Sequence, residues 1–109
     1  MNRGTAERIA RDVHAYAPSP LAGNVYLVGT ADAWALIDAG MPRQGERIRG
    51  VAAALFGSSV PSAILLTHVH PDHAGSALEL ARAWQVPIRL HPAEMDLATA
   101  RDLATVTRC

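Results

Sequence analysis

One cysteine, Cys109, is all that this sequence of 109 residues contains. No disulfide can form within it, and a reducing compartment fits such a chain. Net charge is missing too: ten basic residues balance ten acidic ones. Nucleic acid and acidic membrane surfaces ordinarily call for a basic patch, so neither is an expected partner. No apolar run approaches the roughly 20 residues that span a bilayer. The amino-terminal stretch MNRGTAERIARD is polar and lacks the apolar core of a secretory signal. There is no internal repeat and no low-complexity linker. The expectation is a soluble, cytoplasmic protein. Half of the residues are hydrophobic, which argues against disorder. The length suits one domain, 1–109.

What is there alternates. DVHAY is a short β-prone stretch, stopped by the two prolines of APSP. NVYLVG (24–29) and WALIDAG (34–40) are β-branched and aromatic runs, and GTAD between them reads as a hairpin turn. The period then changes. Ile48, Val51, Ala52, Leu55 and Phe56 recur at helical spacing, with Gly57 placed to end the helix. AILLT (63–67) is continuously apolar, as a strand covered on both faces would be. Ala74, Ala77, Leu78, Ala81 and Trp84 return to helical spacing. PIRL is a short strand, and a last helix is predicted from Pro92, with Leu97, Ala100, Leu103 and Ala104 on one face. The order β, β, β, α, β, α, β, α describes an α/β layer fold with helices covering a mixed sheet.

The chemistry concentrates in THVHPDHAG, residues 67–75, where the apolar strand gives way to a helix. Ligands of α/β proteins commonly bind there, at the carboxyl ends of strands. His68 and His70 stand two apart, so an extended backbone points both imidazoles the same way and both can reach one ion. Asp72 and His73 follow as the chain turns and can face a second ion. Neutral imidazole suits zinc, and a carboxylate adds charge compensation. Pro71 stiffens the turn, and Gly75 lets the start of the helix pass close by. A single loop histidine is ordinarily a polar surface residue. The whole pattern H-x-H-x-D-H would arise by independent draws in well under roughly one chain in a hundred, so metal binding is the expected role.

THVHPDHAG resembles the signature of the metallo-β-lactamase superfamily. WALIDAG resembles that family's first motif, a strand ending in Asp-x-Gly. GNVYLV resembles its early strand, and VPIRLHPAE the strand-to-helix passage that follows the signature. The similarity runs from about residue 9 to residue 96. It implies that His68 and His70 bind a first metal and that Asp72 and His73 bind a second. Asp38 would be a buried carboxylate that orients the site through hydrogen bonds, and Thr67 would hold the strand end through its hydroxyl. The implied cofactor is zinc, two ions in a complete member, with iron as the alternative. In such enzymes the metal pair acts on a bound water, whose pKa zinc lowers from about 15.7 to about 7. Asp72 would help to orient that water. This suits hydrolysis of small-molecule esters, thioesters, lactones, amides or phosphoesters.

The resemblance covers only the amino-terminal half of the family's αββα sandwich. The second half of a member supplies a third histidine to the first metal, a bridging aspartate and a last histidine. The other histidines here are His14, read as a surface residue, and His91, which ends a strand and is not read as a ligand. Two ligands per ion fall short of the three that a catalytic zinc needs. The chain is therefore expected to be a truncated hydrolase, inactive alone, or else a non-catalytic metal-binding or interaction module. In either case an apolar sheet face should be left to pair with itself or with a partner.

Overall fold

The computed structural model describes residues 6–18, 23–67, 75–90 and 106–108. Two-residue turns at Arg11–Asp12 and Ala31–Asp32 fold the first part of the chain into hairpins. They join the strands β1 (Glu7–Ala10) to β2 (Val13–Tyr16) and β3 (Val25–Thr30) to β4 (Ala33–Ile37). From β4 onward each strand is followed by a crossover. Helix α1 (Gly45–Phe56) leads to β5 (Ile64–Leu66), and helix α2 (Ala77–Trp84) leads to β6 (Ile88–Leu90). A last strand, β7 (Val106–Arg108), completes a seven-stranded sheet in the order of the sequence. The first four strands pair antiparallel and the last four parallel. The helix α1 stops where the sequence provides for it, at Gly57, whose φ of 66° is the left-handed conformation that glycine tolerates best.

Because β4, β5 and β6 step across the sheet in one direction, right-handed crossovers place α1 and α2 on the same face. The burial pattern shows which face. Tyr16, Val25, Leu27, Trp34, Leu36, Ile64, Leu66, Ile88 and Leu90 alternate along their strands into one core. They meet Ile48, Val51, Ala52 and Phe56 of α1 and Ala77, Leu80 and Ala81 of α2. At the base of the core Trp34 lies 4.6 Å from Phe56 and 5.6 Å from Trp84, ring centre to ring centre, the second contact being edge-on. The fold is thus α/β, a mixed sheet with the described helices on one face.

Three details differ from the sequence reading. The strand β1 was not anticipated: its residues ERIA are all exposed, so it carries no burial signal and exists only through pairing with β2. The strand β7 was likewise unforeseen. His14 is not a plain surface residue. It pairs with Leu27 on the core side of the sheet, is half-buried, and its Nδ1 meets no hydrogen-bond partner among the described residues. Ala74 and the helix predicted from Pro92 lie outside the described residues.

Trp34 gives the core a test. Its ring is 2% exposed, yet its indole N–H also meets no acceptor among the described residues. Trp34→Ala should cost about 3–5 kcal/mol through lost packing. Trp34→Phe should be close to neutral, because lost ring area and a relieved N–H oppose each other at about 1 kcal/mol each. Urea unfolding of the two variants checks the contrast, and equal losses would show that the N–H is satisfied.

Candidate functional site

Parallel pairing brings the carboxyl ends of β4 and β5 to the same edge of the sheet. The N–H of Asp38 extends that pairing by one step, donating to the Leu65 carbonyl at 2.8 Å. The chain then leaves the sheet: Asp38 has φ 65° and Gly40 has φ 63°. Aspartate tolerates this left-handed conformation better than most side chains do. The turn aims the Asp38 carboxylate, in a residue only 4% exposed, at the end of β5. There Oδ1 accepts the Thr67 N–H at 2.8 Å. The Thr67 hydroxyl lies 3.0 Å from Oδ1 and 2.8 Å from Oδ2 and donates to the carboxylate. Thr67 is the last described residue before the histidine motif.

The far end of the motif returns to the same turn. Gly75 N–H donates to the Gly40 carbonyl at 2.8 Å, and Ser76 N–H to the Ala39 carbonyl at 3.3 Å. Ser76 is fully buried, and its hydroxyl donates to the Met41 carbonyl at 2.6 Å while accepting the Gln44 N–H at 2.9 Å. The Gln44 side chain closes the network by accepting the Met41 N–H at 2.9 Å. Segment 68–74 therefore starts and ends on one short loop. Asp38 holds its entry; Ala39 and Gly40 hold its exit.

His68, His70, Asp72 and His73 belong to that segment and lie outside the described residues, as does His91. Among the described residues no three His, Cys, Asp or Glu side chains gather around one point. What the structure describes is the frame on which the motif is hung. Sequence reasoning singled out Asp38 and Thr67 but missed Ser76 and Gln44. A serine before an apolar helical run looks like a helix cap. Here neither Ser76 nor Gln44 caps its helix with its side chain, because both side chains are spent on the loop.

The sequence model of the metallo-beta-lactamase superfamily matches residues 18–108. The chain belongs to the metallo-beta-lactamase superfamily. It is 37% identical over 83 residues to "Probable metallo-hydrolase YflN" of Bacillus subtilis, covering 72% of this chain and 31% of that protein. It is 46% identical over 57 residues to a hydroxyacylglutathione hydrolase of Xanthomonas euvesicatoria, covering 47% of this chain and 22% of the relative. Among solved structures, a metallo-beta-lactamase of Cronobacter sakazakii with a HARLDQ motif superposes with a TM-score of 0.74 at 23% identity. That match covers 89% of this chain and 38% of the other. The chain thus spans between about a fifth and two fifths of the length of the superfamily members it matches.

The frame can be broken in graded steps. Asp38→Ala removes the acceptor of two Thr67 donors and puts alanine at positive φ, and should cost about 2–4 kcal/mol. Thr67→Val keeps the amide bond and should cost about 1 kcal/mol. Ser76→Ala leaves the Gln44 N–H without its buried acceptor and should cost about 1–3 kcal/mol. Chemical denaturation of the three variants gives the order, and an Asp38→Ala protein as stable as the wild type would remove the carboxylate from the frame.

Proposed function

We propose that this chain carries the metal-binding part of a metal-dependent hydrolase of the metallo-beta-lactamase superfamily. His68 and His70 hold one ion; Asp72 and His73 hold a second. Three imidazoles and a carboxylate within six positions form a donor set that suits zinc, with iron as the alternative. The observation that supports this reading best is the anchoring of both ends of segment 68–74 on the Asp38–Gly40 turn. Fixed ends reduce the chain freedom that is lost when the ligands gather on an ion, so affinity is favoured before any metal bond forms. Bound zinc supplies Lewis acidity, which polarises oxygen donors and makes hydrolysis feasible near neutral pH. Asp38 keeps the entry to the motif in place without itself coordinating, as partners behind metal ligands do. Asp72 has the further role of orienting the attacking water as a hydrogen-bond acceptor.

The substrate is a small molecule with a hydrolysable acyl or phosphoryl bond. The hydroxyacylglutathione hydrolases among the relatives favour the acyl members of that set. With two ligands per ion, this chain alone falls below the three of a catalytic zinc site. We therefore infer that the remaining ligands come from elsewhere and that the chain alone turns substrate over slowly or not at all. A cytoplasmic setting agrees with a lone cysteine, and no helix among the described residues is long and apolar enough to cross a membrane.

Calorimetric zinc titration tests the reading. Weak binding that His70→Ala abolishes is the expected result. Tight binding that survives His70→Ala, or no binding by the wild-type protein, would overturn it. Zinc binding without turnover across thioester, ester and phosphoester substrates would favour the second reading, a non-catalytic metal-binding module.

A further inference from the structure

A serine just before a helix ordinarily turns its hydroxyl onto the first N–H groups of that helix. Ser76 stands at that position of α2, yet its side chain makes no capping bond. The hydroxyl is spent 35 and 32 residues back along the chain, donating to the Met41 carbonyl at 2.6 Å and accepting the Gln44 N–H at 2.9 Å. Those two groups are the first carbonyl and the last N–H of the four-residue turn Met41–Gln44, the pair that such a turn commonly joins to each other. One buried atom, Ser76 Oγ, therefore holds both ends of the turn. The Gln44 side chain closes it from the other side, with Oε1 accepting the Met41 N–H at 2.9 Å. Gly40 leaves room for that amide, since a β-carbon there would stand 2.8 Å from Oε1. Inside the turn Arg43 takes φ 68°, a conformation that costs any residue with a β-carbon and that this closure maintains.

We infer that Ser76 is a positioning residue for the metal ligands: its hydroxyl fixes the loop on which segment 68–74 is held at its exit. The inference rests on the metal-binding reading proposed above. The backbone bonds of Gly75 and Ser76 tie the exit to Gly40 and Ala39 only. The hydroxyl adds Met41 and Gln44, so that loop 39–44 and the start of α2 form one body. His73 lies three residues before Ser76. A segment whose exit is fixed before the ion arrives loses less chain freedom on binding it. Removing the hydroxyl thus lowers affinity without removing a ligand, and it changes the angles from which the ligands meet the ion.

Metal titration of the 109-residue chain tests this, with a core truncation as control. Ser76→Ala should raise the zinc dissociation constant about tenfold, the lower end of what partners behind metal ligands contribute. Gln44→Met removes only the bond from Oε1 to the Met41 N–H and should raise the constant about fivefold, which corresponds to one neutral hydrogen bond. Val86→Ala truncates the core at the amino end of β6; it should lower stability and leave the constant unchanged. Circular dichroism establishes that each variant is folded at the titration temperature, and if Ser76→Ala is not, Gln44→Met decides. Saturating cobalt reads the geometry at the ion: its visible spectrum should shift in Ser76→Ala and not in Val86→Ala. Zinc binding that neither Ser76→Ala nor Gln44→Met weakens, an equal loss in Val86→Ala, or an unchanged cobalt spectrum in Ser76→Ala would each overturn the inference and leave the metal reading standing. A wild-type chain that binds neither ion would overturn the metal reading, and the inference with it.

Discussion

The hydrogen bonds between the Asp38 carboxylate and Thr67 join two strands that would otherwise merely end side by side. A buried carboxylate is costly unless its oxygens are satisfied. Here the backbone N–H and the hydroxyl of Thr67 both donate to them. The carboxylate can reach them because Asp38 turns into the left-handed region and because β4 and β5 run parallel. Antiparallel neighbours would have placed the end of one strand beside the start of the other. The sheet's change from antiparallel to parallel pairing at β4 is therefore what creates a position where an aspartate can hold the entry to the histidine motif.

That change also divides the molecule into two ends with different duties. At the amino ends of the parallel strands, Trp34 packs on Phe56 and Trp84 and fastens both helices to the sheet. At the carboxyl ends the packing gives way to hydrogen bonds: Asp38, Ala39, Gly40, Met41 and Gln44 are tied to Thr67, Gly75 and Ser76. Directional bonds suit the second end. Apolar packing tolerates small displacements, whereas a frame for metal ligands must fix where a segment begins and ends.

Legibility in the sequence followed the same division. Residues whose role is burial announced themselves by period: Ile48, Val51, Ala52 and Phe56 at helical spacing, and the apolar run of β5. Asp38 and Thr67 were readable because a known pattern surrounds them. Ser76 and Gln44 were not, since one side-chain oxygen can serve a helix cap or a distant carbonyl equally well, and only the tertiary approach of loop to helix decides which. His14 was misread because its strand is too short for the alternation to stand out.

Crossovers that step in one direction load one face of the sheet with the described helices. The ligands proposed here arise from a single strand-to-helix passage, so they approach an ion from one side. A tetrahedral or larger coordination shell needs donors from the opposite side as well. The one-directional winding of the chain after β4 thus puts the described helices and the hydrophobic core on one face of the sheet.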